Sequence, residues 1–144
     1  DHDADAISAY NNTFIQTPSI DRLAKEGMLF KNSFVGNSIC SPARATLLTG
    51  QHSHMNGMKD NRTRFDSSKM TMPKIMQQQG YQTAIVGKWH LGLGAGNVDW
   101  NQHISPGPNE VGFDYSYIMA ATQDRVPTVY IENGDVVDGA VVDV

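Results

Sequence analysis

Two stretches of this chain carry the same order of signals: helix start, helix stop, apolar run. That repetition limits the chain to folds in which helices alternate with strands. In the first stretch, Thr17-Pro18 sets a helix N-cap followed by proline in the first turn. Ile20, Leu23 and Ala24 then fall on one helical face, and Gly27 supplies the stop. Met28 to Phe34 follows as an expected strand. In the second, Met72, Ile75 and Met76 mark a helix that ends at Gly80, and Tyr81 to Val86 reads as a buried strand. The expected class is α/β.

Between these units, Ser41 to Thr49 reads as a short helix, with Pro42 in its first turn and Gly50 just past its end. Cys40 is thereby placed at a helix N-terminus. Residues Gly92 to Gly112 are rich in Gly, Pro and Asn and are expected to form loop. Val129 to Val137 contains Asn133-Gly134, a two-residue hairpin turn signal. No repeat of longer period and no linker divides the chain, so 1–144 is taken as one unit. Asp1 to Asp5 begins without a strand to hold it, and Val136 to Val144 stops in strand-like sequence. Both ends are therefore expected to be cut from a larger domain.

The charge is modest and scattered. Fifteen acidic and 11 basic residues give a formal net charge of −4, with no basic run suited to nucleic acid or to an anionic membrane surface. No apolar stretch of about 18 residues is present to span a membrane. One cysteine excludes an internal disulfide and a multi-cysteine metal centre, and leaves the compartment open.

That cysteine lies in Cys40-Ser41-Pro42-Ala43-Arg44. Proline at +2 and arginine at +4 of a given cysteine arise together by chance about once in 400, at roughly 5% usage each. A helix N-terminus favours an anion through the macrodipole and its unpaired N–H groups. Gly87-Lys88-Trp89-His90-Leu91-Gly92 adds a lysine and a histidine two apart at a strand end, where the pleat points both the same way. In an α/β sheet such strand ends carry the ligand site.

Cys40-Ser41-Pro42-Ala43-Arg44 with Leu48-Thr49-Gly50 resembles the sulfatase signature that directs oxidation of cysteine to formylglycine. Gly87 to Gly92 resembles the second signature of that family. Thr17 to Ala24 and Gly112-Phe113-Asp114-Tyr115 are similar to further family landmarks in the expected order, and Gln51 departs from the arginine often found after the Leu-Thr-Gly triplet. The resemblance implies the N-terminal part of an alkaline-phosphatase-like sulfatase core, with a mixed or parallel sheet flanked by helices. It implies a sulfuric ester hydrolase acting on an aryl or carbohydrate sulfate, with a formylglycine-generating enzyme as maturation partner. A periplasmic, secreted or lysosomal-like location follows from the same resemblance.

Carried over residue by residue, the resemblance implies that Cys40 becomes formylglycine and that Arg44 fixes it and its metal environment. Lys88 and His90 would contact the sulfate and the hydrated aldehyde, and Asp124 and Arg125 would line the pocket for the organic part of the substrate. Asp1, read as the second member of an Asp-Asp pair, and the oxygen at position 40 would ligate Ca²⁺ (or Mg²⁺). Two ligands fall short of calcium's usual six to eight. One hydroxyl of the aldehyde hydrate attacks sulfur, and loss of the other's proton, to a base such as His90, lets the adduct collapse and expel sulfate. A cation about 4 Å from the transferring group contributes on the order of 4 kcal/mol at an effective dielectric of 20, which gives Lys88 and Arg44 their weight.

Other readings stand beside this one. A phosphonate or phosphate monoester hydrolase would use the same nucleophile, and a binding protein would leave Cys40 a thiol. His2, Asp3 and Asp5 read as an exposed polar turn, and His52 and His54 as a surface loop. Asp124 and Arg125 could form an internal ion pair, and Trp89 and Trp100 could serve as core or loop anchors.

Overall fold

The computed structural model describes residues 3–11, 13–137, 139 and 141. Its contacts gather into two compact units, Asp1–Phe34 and Val35–Val144.

In the first unit the expected helix forms as α1, Pro18–Glu26, with Thr17 as N-cap and Gly27 as C-cap. The Thr17 side chain does not cap the helix. Its hydroxyl donates instead to Asp21 Oδ1 at 3.0 Å, while Ser8 Oγ donates to Asp21 Oδ2 at 2.5 Å. These bonds, Ser8's first, hold the Asp21 carboxyl below the usual carboxylate range. The strand expected at Met28 to Phe34 is absent. An extended run becomes a strand only when a neighbour takes up its N–H and C=O groups. Here the run is irregular, with Met28, Phe30 and Phe34 exposed.

The second unit is built on a four-stranded mixed sheet of order β1-β2-β3-β4. Helix α2, Cys40–Thr49, precedes it and ends at Gly50 in the left-handed conformation, as its sequence signals require. A single turn, α3 (Ser53–Asn56), and then α4 (Met72–Gln78) follow. Strand β1 is Ala84–Lys88, beginning three residues later than expected. The preceding backbone is already committed: Tyr81 N–H donates to the Met76 carbonyl, and Thr83 N–H to Asp114 Oδ2 at 2.7 Å. Among the described residues β1 is an edge strand and not a buried one, with Val86 73% exposed.

Strand β2, Tyr115–Met119, runs parallel to β1 with Lys88 opposite Met119. Parallel pairing puts the C-terminal end of β1 where the sequence required it. The loop from Gly92 onward holds one short helical turn, α5 (Pro108–Val111). Strands β3 (Tyr130–Glu132) and β4 (Asp135–Val136) then form the hairpin expected from Asn133-Gly134, both of whose residues have positive φ. Trp89, Leu91, Phe113, Ile118 and Ile131 are central to the core, and Trp89 meets Phe113 edge-on at 6.5 Å. Trp89 is thus the core anchor expected.

Gly112 is the tightest point of this packing. It has φ +113°, and a Cβ there would lie 2.7 Å from the Lys74 backbone nitrogen. Backbone cannot swing aside as a side chain can. Gly112→Ala is expected to destabilise the fold by about 2 kcal/mol or more, read as a lower denaturant midpoint at unchanged slope. An unchanged midpoint would show that the α4 contact is slack.

Candidate active site

Two side chains of α2 bind the backbone that leaves β1. Ser41 Oγ donates to the His90 carbonyl at 2.5 Å and is itself buried, and Arg44 Nη1 donates to the Lys88 carbonyl at 2.7 Å. The N-terminal half of α2, with Cys40 as its first residue, is thereby fixed beside the Lys88–His90 segment. Sheet pairing supports that segment from its other side, since Trp89 N–H donates to Met119 O and His90 N–H to Ala120 O, each at 2.9 Å.

Cys40 is an exposed free thiol. The backbone donors around it are fewer than a bare helix end would offer. Ser41 N–H is taken by Asn61 Oδ1 at 2.9 Å, and Pro42 has no N–H. Recognition of an anion here therefore falls mainly on side chains and the helix dipole.

His90 is 6% exposed, and neither of its ring nitrogens has a hydrogen-bond partner among the described residues. Its pKa is pushed below the ordinary histidine value, first by burial and then by the charges of Lys88, Arg125 and Arg44, with Asp124 opposing. Four of the charged residues singled out from the sequence, Arg44, Lys88, Asp124 and Arg125, thus act on this ring. Its environment keeps it neutral, with one nitrogen able to donate and the other to accept.

Strand alternation does not set Lys88 and His90 to one side, contrary to the expectation from their spacing. His90 has φ +57°, so alternation stops before it. Its ring is positioned by that left-handed backbone and by the Ser41 bond to its carbonyl. Arg44 donates to the Lys88 carbonyl, which places its charge beside the site while tying it to the fold.

Arg125 lines a cleft of about 230 Å³ together with His90 and Trp100. The Asp124 carboxyl lies below the usual range, chiefly through a hydrogen bond from the Thr122 side chain, and its attraction to Arg125 is a lesser contribution. Asp124 and Arg125 form no ion pair within 4 Å. His52 and His54 stack at 6.0 Å, apart from this network.

Asp1 and His2 lie outside the described residues. Among the described ones no three His, Cys, Asp or Glu side chains come together, so these residues alone do not make up a calcium shell. No described helix is long and apolar enough to cross a membrane.

Sequence reasoning missed Asn61 and the arginines beside it. The signal was present in Asp60-Asn61-Arg62-Thr63-Arg64, an Asx-turn start followed by alternating cations. Ser41 was read as part of a motif and not as a fastening. Ser41→Ala would leave the buried His90 carbonyl unpaired, at a cost of about 1–3 kcal/mol. Thr49→Ala, which removes only local bonds, one donated to the Ala45 carbonyl and one accepted from Gln51 N–H, is expected to cost less in the same chemical denaturation experiment. Equal losses would deny the cross-link its role.

The Sulfatase family model matches residues 1–143. Over 137 residues the chain is 42% identical to an N-acetylgalactosamine-6-O-sulfatase of Bacteroides thetaiotaomicron, a match covering 91% of this chain and 27% of that protein. A solved structure from work on glycosaminoglycan metabolism by Bacteroides thetaiotaomicron superposes with TM-score 0.83 at 41% identity, over 90% of this chain and 28% of the other. A second, described as in complex with its substrate D-glucosamine-2-N,6-O-disulfate, superposes with TM-score 0.76 at 38% identity, over 95% and 25%. The chain spans about a quarter of the length of these relatives. With both signatures fixed to one another and the match running through 143, the chain belongs to the sulfatase family.

Proposed function

We propose that the site around Cys40 and His90 hydrolyses a sulfate monoester carried by a carbohydrate. The observation that carries this reading is the buried imidazole of His90, without a partner among the described residues and set among the charges of Lys88, Arg44 and Arg125. A neutral base among cations suits a reaction that binds an anion and moves a proton. Carbohydrate is favoured over aryl sulfate by two Bacteroides relatives of higher identity, an N-acetylgalactosamine-6-O-sulfatase and an N-acetylglucosamine-6-O-sulfatase, against the 34–36% identity of arylsulfatases and a steryl-sulfatase.

The exposure of Cys40 at the start of α2 suits its conversion to formylglycine by a maturation enzyme. So converted, residue 40 supplies a hydrated aldehyde whose hydroxyl can displace the alcohol from sulfur. Lys88 neutralises the sulfate oxygens, and the Arg44 charge adds to that field from its place on the Lys88 carbonyl. His90, uncharged near neutral pH, accepts a proton at one nitrogen while the other can donate to an oxygen of the bound group. Ca²⁺ or Mg²⁺ held in part by Asp1 and the oxygen at position 40 belongs to the same proposal, as does action in a periplasmic, secreted or lysosomal-like compartment.

The test uses full-length protein from a host able to install formylglycine. Peptide mass spectrometry is expected to find an aldehyde at position 40, and sulfate release from a 6-O-sulfated hexosamine is expected to exceed phosphate release from the matching phosphate ester. Lys88→Ala should lower kcat/KM by about 100-fold or more at an unchanged unfolding midpoint. A thiol throughout would favour a binding protein, and equal or faster phosphoester turnover a phosphohydrolase.

A further inference from the structure

The cleft that His90 shares with Trp100 has a charge at odds with the chain. The whole sequence is net −4, yet Arg62, Arg64 and Arg125 line this cleft and no carboxylate does. The three arginines differ in what they are free to do. Arg64 is part of the wall: its guanidinium donates to the Gly94 carbonyl at 3.2 Å and also to that of Gly96, and its stem lies against Gly92. Arg62 and Arg125 make no side-chain hydrogen bond or ion pair among the described residues.

The carboxylates nearest in sequence, Asp60 and Asp124, feel the charges of Arg62 and Arg125 only as lesser contributions, and are held chiefly by hydrogen bonds. Asp60 Oδ1 accepts from Arg62 N–H, Thr63 N–H and the Thr63 hydroxyl, each at 2.9 Å, and its neighbour Asn61 binds Ser41 N–H. The loop presenting Arg62 is therefore braced against the residue that follows Cys40. Asp124 is held chiefly by Thr122. Against the cleft, independently, stands His90, 6% exposed, with no partner for either ring nitrogen among the described residues. The half-buried indole of Trp100 supplies an apolar wall. At about 230 Å³, the cleft is smaller than the roughly 300–1,000 Å³ of sites for drug-sized ligands. It suits one ring or one substituent and not a chain of sugars.

We infer that this cleft takes a second anionic group of the saccharide, a sulfate or a hexuronate carboxylate, and that Arg62 and Arg125 select for it. The inference rests on the sulfate-ester reading for the placement of the first sulfate. Guanidinium groups suit either oxyanion, since both offer paired oxygens to their forked donors. Arg62 and Arg125 then set which sulfated sugars bind, and the residues around Cys40 set what happens to them.

The experiment measures binding by calorimetry to the full-length protein carrying Cys40→Ser, so that turnover does not intervene. The probes are D-glucosamine 6-sulfate, D-glucosamine-2-N,6-O-disulfate, and a disaccharide joining D-glucuronate to D-glucosamine 6-sulfate. At least one dianionic probe is expected to bind about tenfold or more tightly than the monosulfated sugar, with the advantage shrinking as salt rises. Whichever dianion is preferred identifies the group as sulfate or carboxylate. Arg62→Gln with Arg125→Gln should bring the ratio toward one, in a protein shown to be folded by its unfolding midpoint. A ratio near one before substitution, a ratio unchanged after it, or no binding of any probe would overturn the inference. Sulfate release by the matured enzyme is measured alongside. Selective binding without release would refute the sulfatase reading alone, and release without selectivity would refute the cleft alone.

Discussion

The candidate site depends on a cross-link between a helix and the end of a strand. Ser41 and Arg44 are three apart and so share a face of α2, about 4.5 Å apart along its axis. The carbonyls they bind, on residues 90 and 88, lie where the chain leaves β1 and turns into the left-handed backbone of His90. The short serine bonds the first of these carbonyls and the longer arginine the second. Serine and arginine in the Cys40–Arg44 motif thus have a structural reason for their spacing, apart from any contact with substrate. Asn61 adds a third tie through Ser41 N–H, and brings the Arg62 loop to the same helix end.

Around this cross-link the electrostatics follow from burial. A polar ring without partners in the interior costs about 1–3 kcal/mol, and among the described residues His90 has none for either ring nitrogen. Burial and three cations hold it neutral. An anion entering the site would reverse part of this balance, since it offers the ring a hydrogen-bond partner and screens the cations that oppose its protonation. Binding of substrate and protonation of His90 are therefore coupled, which suits a base that must take a proton only after the anion has arrived.

Much of this was legible in the sequence because it rests on local rules. Proline near a helix start and glycine just past its end located α1 and α2, and Asn133-Gly134 located the β3–β4 hairpin. Cys40 at a helix end followed from the same signals. What was not legible depends on pairing across the chain. The apolar run at Met28 to Phe34 has strand composition without a described partner, and β1 begins at Ala84 because a side chain 31 residues away claims Thr83 N–H. The pleat expected to point Lys88 and His90 the same way ends before His90, whose left-handed backbone cannot be read from a two-residue spacing. Asn61 and Arg62 belong to the site only through a bond to Ser41 that spans 20 positions. Asp1, on which the metal reading leans, lies outside the described residues.

The central claim is that His90 is a neutral imidazole, without a partner among the described residues, that awaits an anion. Its direct measurement is an NMR titration of the His90 ring in the full-length protein, without and with inorganic sulfate. The account predicts a midpoint below the ordinary histidine value of 6.5 without sulfate, and an upward move when sulfate is bound. A midpoint at or above that value, unmoved by sulfate, would contradict it.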